Sequence, residues 1–397
     1  MKILMVNKFL HPNGGSETYI FKLGEALSSM GHEVQYFGMD HENRIVGNAA
    51  ESYTVNMDFH TGKFQKLLYP FKIIYSFEAR KKIKRVLEDF KPDIVHLNNF
   101  NYQLTPSIIY EIKAHHIPIV FTAHDLQLVC PNHLMMYGKT GELCELCQTK
   151  GSRACFQGRC IHGSAAKSLL GTVENWLYKR WRAYKKIDVI LCPSRYVEEK
   201  LSKNKKLAGR TQVLRNFISD LDSNKYSGGK KDYVVYFGRY SKEKGVKTLV
   251  EACKELPEIP FIFAGKGEFE KEINSTANIE NKGFLNGDDL YQLIASARFS
   301  LCPSECPDNC PFSVMESIKL NTPVIGANIG GIPELVEAGV NGILFESGNK
   351  EELKNAISRL WENREENNAY IQGCAGIEYD NCEEYSKKLI TIYKELV

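Results

Sequence analysis

The chain has 397 residues, 43% of them hydrophobic and 25% charged, with a formal net charge of +3. That length exceeds one ordinary core and suits two domains of similar size. The near-neutral balance excludes the strong field of a dedicated nucleic-acid binder, and no uninterrupted apolar run is long enough to span a bilayer.

In chain order, short apolar β-branched runs alternate with amphipathic helical patterns. Residues 2–7 read as a buried strand. Gly14-Gly15-Ser16 then opens a helix in which Tyr19, Ile20, Leu23, Leu27 and Met30 keep a helical period, and Gly31 closes it. Further strands are expected at 33–38, 93–97, 117–122 and 187–192. Residues 219–231, rich in Ser, Asp, Gly and Lys, read as a linker. A second series of strands follows at 233–237, 261–264, 299–303, 323–326 and 342–345. Such alternation implies an α/β protein with two doubly wound parallel sheets covered on both faces. The expected domains are 1–218 and 219–375, with a C-terminal helix over 376–397 packing back on the first. Ligands in such sheets bind outside the carboxyl ends of the strands. The apolar start Ile3 to Val6 is short and lacks a cleavage-site pattern, so a cytosolic chain is expected.

Four motifs stand at strand ends. Asn13-Gly14-Gly15-Ser16-Glu17 admits close backbone approach and offers the N–H groups of a helix start to an anion, though a tight βα turn uses the same residues. No further glycine completes the G-x-G-x-x-G fingerprint, which disfavours an NAD oxidoreductase. His124, in Thr122-Ala123-His124-Asp125, stands at the carboxyl edge of a buried strand, where it meets a ligand or bonds a loop. Gly238-Arg239, with Lys244 behind it, follows the first strand of the second series. An Arg and a Lys there can clamp a diphosphate by charge-assisted bonds, unless the loop is merely solvated. Gly265-Lys266-Gly267 follows the next strand and suits backbone contact with a nucleotide. In the fourth motif, Asp308 and Glu316 form an acid-x7-acid pair. A carboxylate accepts paired sugar hydroxyls, and the intervening amides around Ser313 and Val314 can hold phosphate at a helix start. Ser313 and Glu316 also have capping-box spacing, by which Glu316 would simply tie down its helix.

These motifs, in this order, resemble glycosyltransferase family 4 over nearly the whole chain. The resemblance is strongest over residues 300–348, where Thr322-Pro323-Val324-Ile325-Gly326 and Gly330-Gly331-Ile332-Pro333-Glu334-Leu335 also fall in place. It implies a GT-B fold, with two Rossmann-like domains facing across a cleft, and retaining transfer from a UDP- or GDP-linked sugar without a catalytic metal. It implies that Gly14 and Gly15 lie near the donor phosphates and acceptor, and His124 near the transferred sugar. Arg239 and Lys244 would hold the diphosphate, with Gly238, Gly265, Gly267, Ser313 and Val314 around the nucleotide. Glu316 would take the ribose hydroxyls. Asp308 would take the sugar hydroxyls, where the family usually has the longer Glu. The string Asp220-Leu221-Asp222 lies in the linker, away from these motifs, and reads as chance.

Between His124 and a helix beginning near Ser168, an insertion over 130–162 carries Cys130, Cys144, Cys147, Cys155 and Cys160. The C-x2-C spacing with two further cysteines suits a structural zinc, and ordinary reduced thiols are the alternative. The resemblance points to Cys130, Cys144, Cys147 and Cys160, leaving Cys155 spare and His133 and His162 as substitutes. Residues 63–85 concentrate Lys63, Lys66, Lys72, Arg80, Lys81, Lys82, Lys84 and Arg85 among aromatic and aliphatic residues. Such a segment docks on the anionic inner face of a membrane, or else it is core with a solvated face. Membrane contact would suit a lipid-linked acceptor in cell-surface polysaccharide assembly. The rival readings are a GT-B nucleotide-sugar epimerase, which needs no acceptor, and a zinc-containing nucleic-acid-binding protein, which the charge balance disfavours.

Overall fold

The computed structural model describes residues 1–56, 72–218, 221, 223–226 and 228–397. Residues 63–71 of the basic segment, and Asp220 and Asp222, lie outside the described residues. The chain forms two compact units, one of Met1–Arg215 with Cys382–Val397 and one of Asn216–Asn381.

The first unit holds a six-stranded sheet of β1 (Lys2–Val6), β2 (Glu33–Phe37), β3 (Ile94–Leu97), β4 (Ile119–Thr122), β5 (Val189–Cys192) and β6 (Thr211–Val213). All pairings are parallel and the order is β2-β1-β3-β4-β5-β6. Strands β3 and β4, IVHL and IVFT, are buried at every position, as parallel strands covered on both faces must be. The helix Gly15–Ser29 ends on Gly31, whose φ of +83° supplies the left-handed turn that closes it. Against this helix packs the last one, Cys382–Lys394. Buried hydrogen bonds join Tyr385 OH to Tyr19 OH (2.7 Å) and Tyr393 OH to His96 Nδ1 (2.5 Å).

The second unit holds β7 (Val234–Phe237), β8 (Phe261–Ala264), β9 (Ile279–Asn281), β10 (Phe299–Cys302), β11 (Val324–Ala327) and β12 (Gly342–Phe345). They are again all parallel, in the order β12-β11-β10-β7-β8-β9. The described part of the expected linker is fastened onto this unit. Tyr226 OH donates to Asp288 Oδ1 (2.6 Å) and Lys230 Nζ to the carbonyl of Ala295 (2.9 Å).

In each sheet the chain lays strands outward in one direction and then jumps back to build in the other. The reversals fall between β1 and β3 and between β7 and β10. Loops leaving the carboxyl ends of two such strands diverge to opposite faces and open a crevice between them, which is where doubly wound sheets bind ligands. Among the described residues no helix is long and apolar enough to cross a membrane.

Candidate functional site

At the β1/β3 reversal the strand ends carry Asn7, Asn98 and Asn99, polar residues placed where buried strands run out. Asn7 Nδ2 donates to Glu17 Oε1 (2.9 Å), Asn99 N–H to Asn7 Oδ1 (3.0 Å), and Asn99 Nδ2 to Ser16 Oγ (2.8 Å). This network fixes the start of the helix Gly15–Ser29, leaving Gly14 and Gly15 exposed at its tip. A Cβ on Gly14 would meet Glu17 Oε2 at 3.5 Å, an ordinary contact, so the fold itself does not require glycine there.

His124 follows β4 and is half-buried. Its Nε2 donates to Asn98 Oδ1 (2.8 Å), whose amide is oriented by donating to the carbonyl of His96 (3.4 Å). The other ring nitrogen, Nδ1, is then the acceptor of the neutral imidazole. Tyr19 meets the ring edge-on at 5.0 Å. Burial pulls the His124 pKa down to about 4, against the opposing pull of Asp125, so the ring is neutral at pH 7. Behind it, His96 is fully buried between Thr122 Oγ1 (2.7 Å) and Tyr393, and burial pulls its pKa to about 3.

Beside the β7/β10 reversal, glycines bring the ends of β7 and β8 together. A Cβ on Gly265 would lie 1.9 Å from the carbonyl of Gly238, and one on Gly267 would lie 2.3 Å from the carbonyl of Tyr240. Gly238 and Gly267 hold φ of +145° and +155°. The result is a bare backbone floor beside the exposed Arg239. Lys244 lies against Asp308, Nζ to Oδ1 at 2.6 Å, and Ser304 Oγ donates to Oδ2 of the same carboxylate. Burial opposes the charge on Lys244, but Asp308 more than offsets this and leaves its pKa above the ordinary value. The structure thus brings Gly238, Gly265 and Gly267 together, and Lys244 with Asp308.

Glu316 is half-buried in the helix Phe312–Lys319 that follows the same loop. Pro311 is the N-cap of that helix and Ser313 lies inside its first turn. The capping box of Ser313 and Glu316 is therefore not formed. The Val314 N–H bonds to the carbonyl of Pro311 (3.2 Å) in the first turn of that helix. Sequence reasoning missed Asn98, Asn99 and Ser304. Asn98-Asn99 directly after the buried run of β3 was the available signal.

In the cysteine insertion, Cys130, Cys147 and Cys155 are buried, and Cys144 and Cys160 partly so. Among the described residues no group of three or more His, Cys, Asp or Glu is arranged to hold a metal ion. Instead the thiols lie in pairs. Contact with Cys147 raises the Cys130 pKa, and contact with Cys155 lowers that of Cys160 to about 6. The tetrahedral set expected from Cys130, Cys144, Cys147 and Cys160 is not assembled, and His133 is committed to Asp125 Oδ2 (3.0 Å). In the described part of the basic segment, the helix Phe77–Phe90 buries Ala79, Ile83, Val86, Leu87 and Phe90, and Arg80 is paired with Glu111 (2.7 Å). Those apolar residues are core. Phe77 is 77% exposed, with Lys81, Lys84 and Arg85 also outward.

With this geometry in view, residues 13–220 match the family described as Glycosyltransferase Family 4. Residues 219–374 match Glycosyl transferases group 1. An uncharacterised glycosyltransferase of Methanocaldococcus jannaschii is 28% identical, the match spanning 57% of this chain and 62% of that protein. An uncharacterised 42.6 kDa protein in the cps region of Klebsiella pneumoniae is 24% identical over 84% of this chain and 87% of its own length. In three dimensions the chain is similar to Anabaena HepE, solved in complex with UDP, with a TM-score of 0.68 at 17% identity over the whole of both chains. At that identity the likeness speaks for the fold.

Proposed function

This chain belongs to glycosyltransferase family 4, and from that premise we propose that it is a retaining enzyme that moves a sugar from a UDP- or GDP-linked donor to a glycan or lipid-linked acceptor in cell-surface polysaccharide assembly. It is a glycosyltransferase of GT-B fold, built on two parallel six-stranded sheets.

The observation that carries the donor assignment is the carboxyl edge of β7 and β8, with a side-chain-free glycine floor and two basic residues in the loop after β7. A diphosphate gains charge as it leaves, and cations already in place stabilise that charge without reorganising. We assign this to Arg239 and Lys244. Gly238, Gly265 and Gly267 admit the nucleotide to the backbone, Ser313 stands at the helix start, and Glu316 takes the ribose hydroxyls. Gly14 and Gly15 take the phosphate and acceptor side in the first unit. His124, neutral and oriented by Asn98, is assigned to the transferred sugar. UDP is the first base to test because the similar Anabaena protein was solved with it.

The test is thermal stabilisation by UDP, GDP, ADP and their sugar conjugates without divalent metal, on wild type and Glu316→Ala. Ligand bound only by the native state raises the melting temperature according to its concentration over Kd. The expected result is a shift with one base that is lost in the variant. No shift with any of the nucleotides overturns the donor site. Product analysis then separates transfer from epimerisation, and the anomeric configuration of the product tests retention.

Two finer parts of the reading have their own tests. A structural zinc on Cys130, Cys144, Cys147 and Cys160 would have to gather thiols that now stand in pairs. Backbone N–H groups of Leu146 and Gly138 already point at the sulfurs of Cys144 and Cys160 (3.4 Å each), as they do toward metal-bound thiolates. One zinc per chain after purification without added metal supports it, and none sinks it. Membrane contact through 63–85 rests on Phe77 and its outward lysines, and the absence of binding to anionic vesicles at low salt counts against it.

A further inference from the structure

We propose that Asp308 is a positioning residue that holds the Lys244 ammonium in place for the donor diphosphate, so that binding of the nucleoside diphosphate itself depends on it. This departs from the sugar contact that the resemblance implies for that position, and it rests on the donor-site reading above.

Both carboxylate oxygens of Asp308 are engaged, one by Lys244 Nζ at 2.6 Å and the other by Ser304 Oγ. Ser304 is itself held, since Ser347 Oγ donates to its carbonyl (2.8 Å). The backbone of Asp308 is fixed as well. Its carbonyl accepts from Gly331 N–H (2.7 Å), and Gly330, at φ +63°, comes so close that a Cβ there would lie 2.3 Å from the same oxygen. On the other side, Gly245 turns at φ +68° directly after Lys244, and a Cβ on it would lie 1.8 Å from the carbonyl of Pro303. Two closely fitted turns therefore fix the stem of each partner.

Only 15% of the Asp308 side chain and 27% of that of Lys244 is exposed. Of the two, aspartate has the shorter and stiffer side chain, while lysine has four rotatable bonds whose freedom is lost when it is fixed on a ligand. An ammonium has three donors, and the Asp308 bond uses one. The rest remain for phosphate oxygens, with the ordering already done by Asp308. A glutamate would carry its carboxylate one methylene further from the chain; the aspartate keeps it at Lys244.

The experiment is a double-mutant cycle on UDP affinity, with GDP and ADP in parallel, using Lys244→Ala, Asp308→Ala and the double variant. Each alone is expected to weaken UDP by about tenfold or more, as loss of a charge-assisted contact or its holder does. The double variant should be no weaker than Lys244→Ala alone, because both act through one ammonium. Asp308→Asn, whose amide oxygen still accepts from Lys244, should recover part of the affinity and guards against a misfolded alanine variant. UDP binding unchanged in Asp308→Ala while the UDP-sugar weakens assigns the residue to the sugar and overturns the proposal. Tighter UDP binding overturns it too, by showing that the carboxylate competes with the diphosphate. Wild-type affinity in Lys244→Ala overturns the donor-site reading along with it.

Discussion

Gly265 shows how little room a single side chain would have at the donor edge. With its missing Cβ 1.9 Å from the carbonyl of Gly238, Gly265→Ala must part the ends of β7 and β8. The expected outcome is a loss of about 1–3 kcal/mol in denaturant unfolding, together with loss of nucleotide-induced stabilisation. A variant that is destabilised yet still binds would separate the glycine's packing role from its ligand role. His124 carries a second expectation at this scale. With its pKa held near 4, the ring does not change charge between pH 5.5 and 8. Activity over that range should show no inflexion that His124→Asn removes. Gly265 and His124 were legible because each stands at the end of an apolar run, and Arg239 and Lys244 because they fall in the loop that follows one. The roles of Asn98 and Thr122 were not, since they meet His124 and His96 across neighbouring strands, and sheet order is invisible to spacing along the chain. The Ser313 and Glu316 pair misled for a related reason. A spacing of three suits a capping box only if the serine is the N-cap, and here the N-cap is Pro311, two residues earlier.

Elements divide the same way. The strands with unbroken apolar runs were readable to within a residue or two. Two short edge strands, β6 and β9, escaped notice because TQV and IEN are only partly buried and carry no apolar signature. Their neighbours β5 and β8, not their own composition, specify them. The last helix, Cys382–Lys394, is held by polar contacts that periodicity does not reveal. In Tyr393→Phe the buried His96 Nδ1 loses its partner, at a cost of about 1–3 kcal/mol. Chemical denaturation should report that loss, and Tyr385→Phe should show a similar one through Tyr19. An unchanged midpoint in both would mean that apolar packing alone docks the helix.

For the molecule as a whole, buried titratable groups of the first unit shape its tolerance of pH. His96 and His124 are neutral in the fold, whereas the unfolded chain protonates them below about pH 6.5. Their contribution to stability is therefore lost as pH falls from that value toward 4 and below. Glu174 acts in the opposite sense. It is 2% exposed, its Oε1 has no hydrogen-bond partner among the described residues, and burial raises its pKa to about 8. Unfolding frees it to ionise above 4.5, so stability declines as pH rises through 8. For these three groups the optimum lies at about pH 6.5. Glu174→Gln should melt a few degrees higher than wild type at pH 8, with the gap closing toward pH 5. A gap that does not change with pH would show that Glu174 is not the group responsible. The division of the chain itself has a further consequence, for synthesis. Residues 216–381 form one contiguous unit, but the first unit is completed by residues 382–397. On the ribosome the Tyr19 and His96 contacts of the first unit stay unmade while the whole second unit is translated and free to fold. A chain stalled before residue 382 would leave the first unit without the helix that covers Tyr19 and His96, and would expose that incomplete core to the cell's quality control.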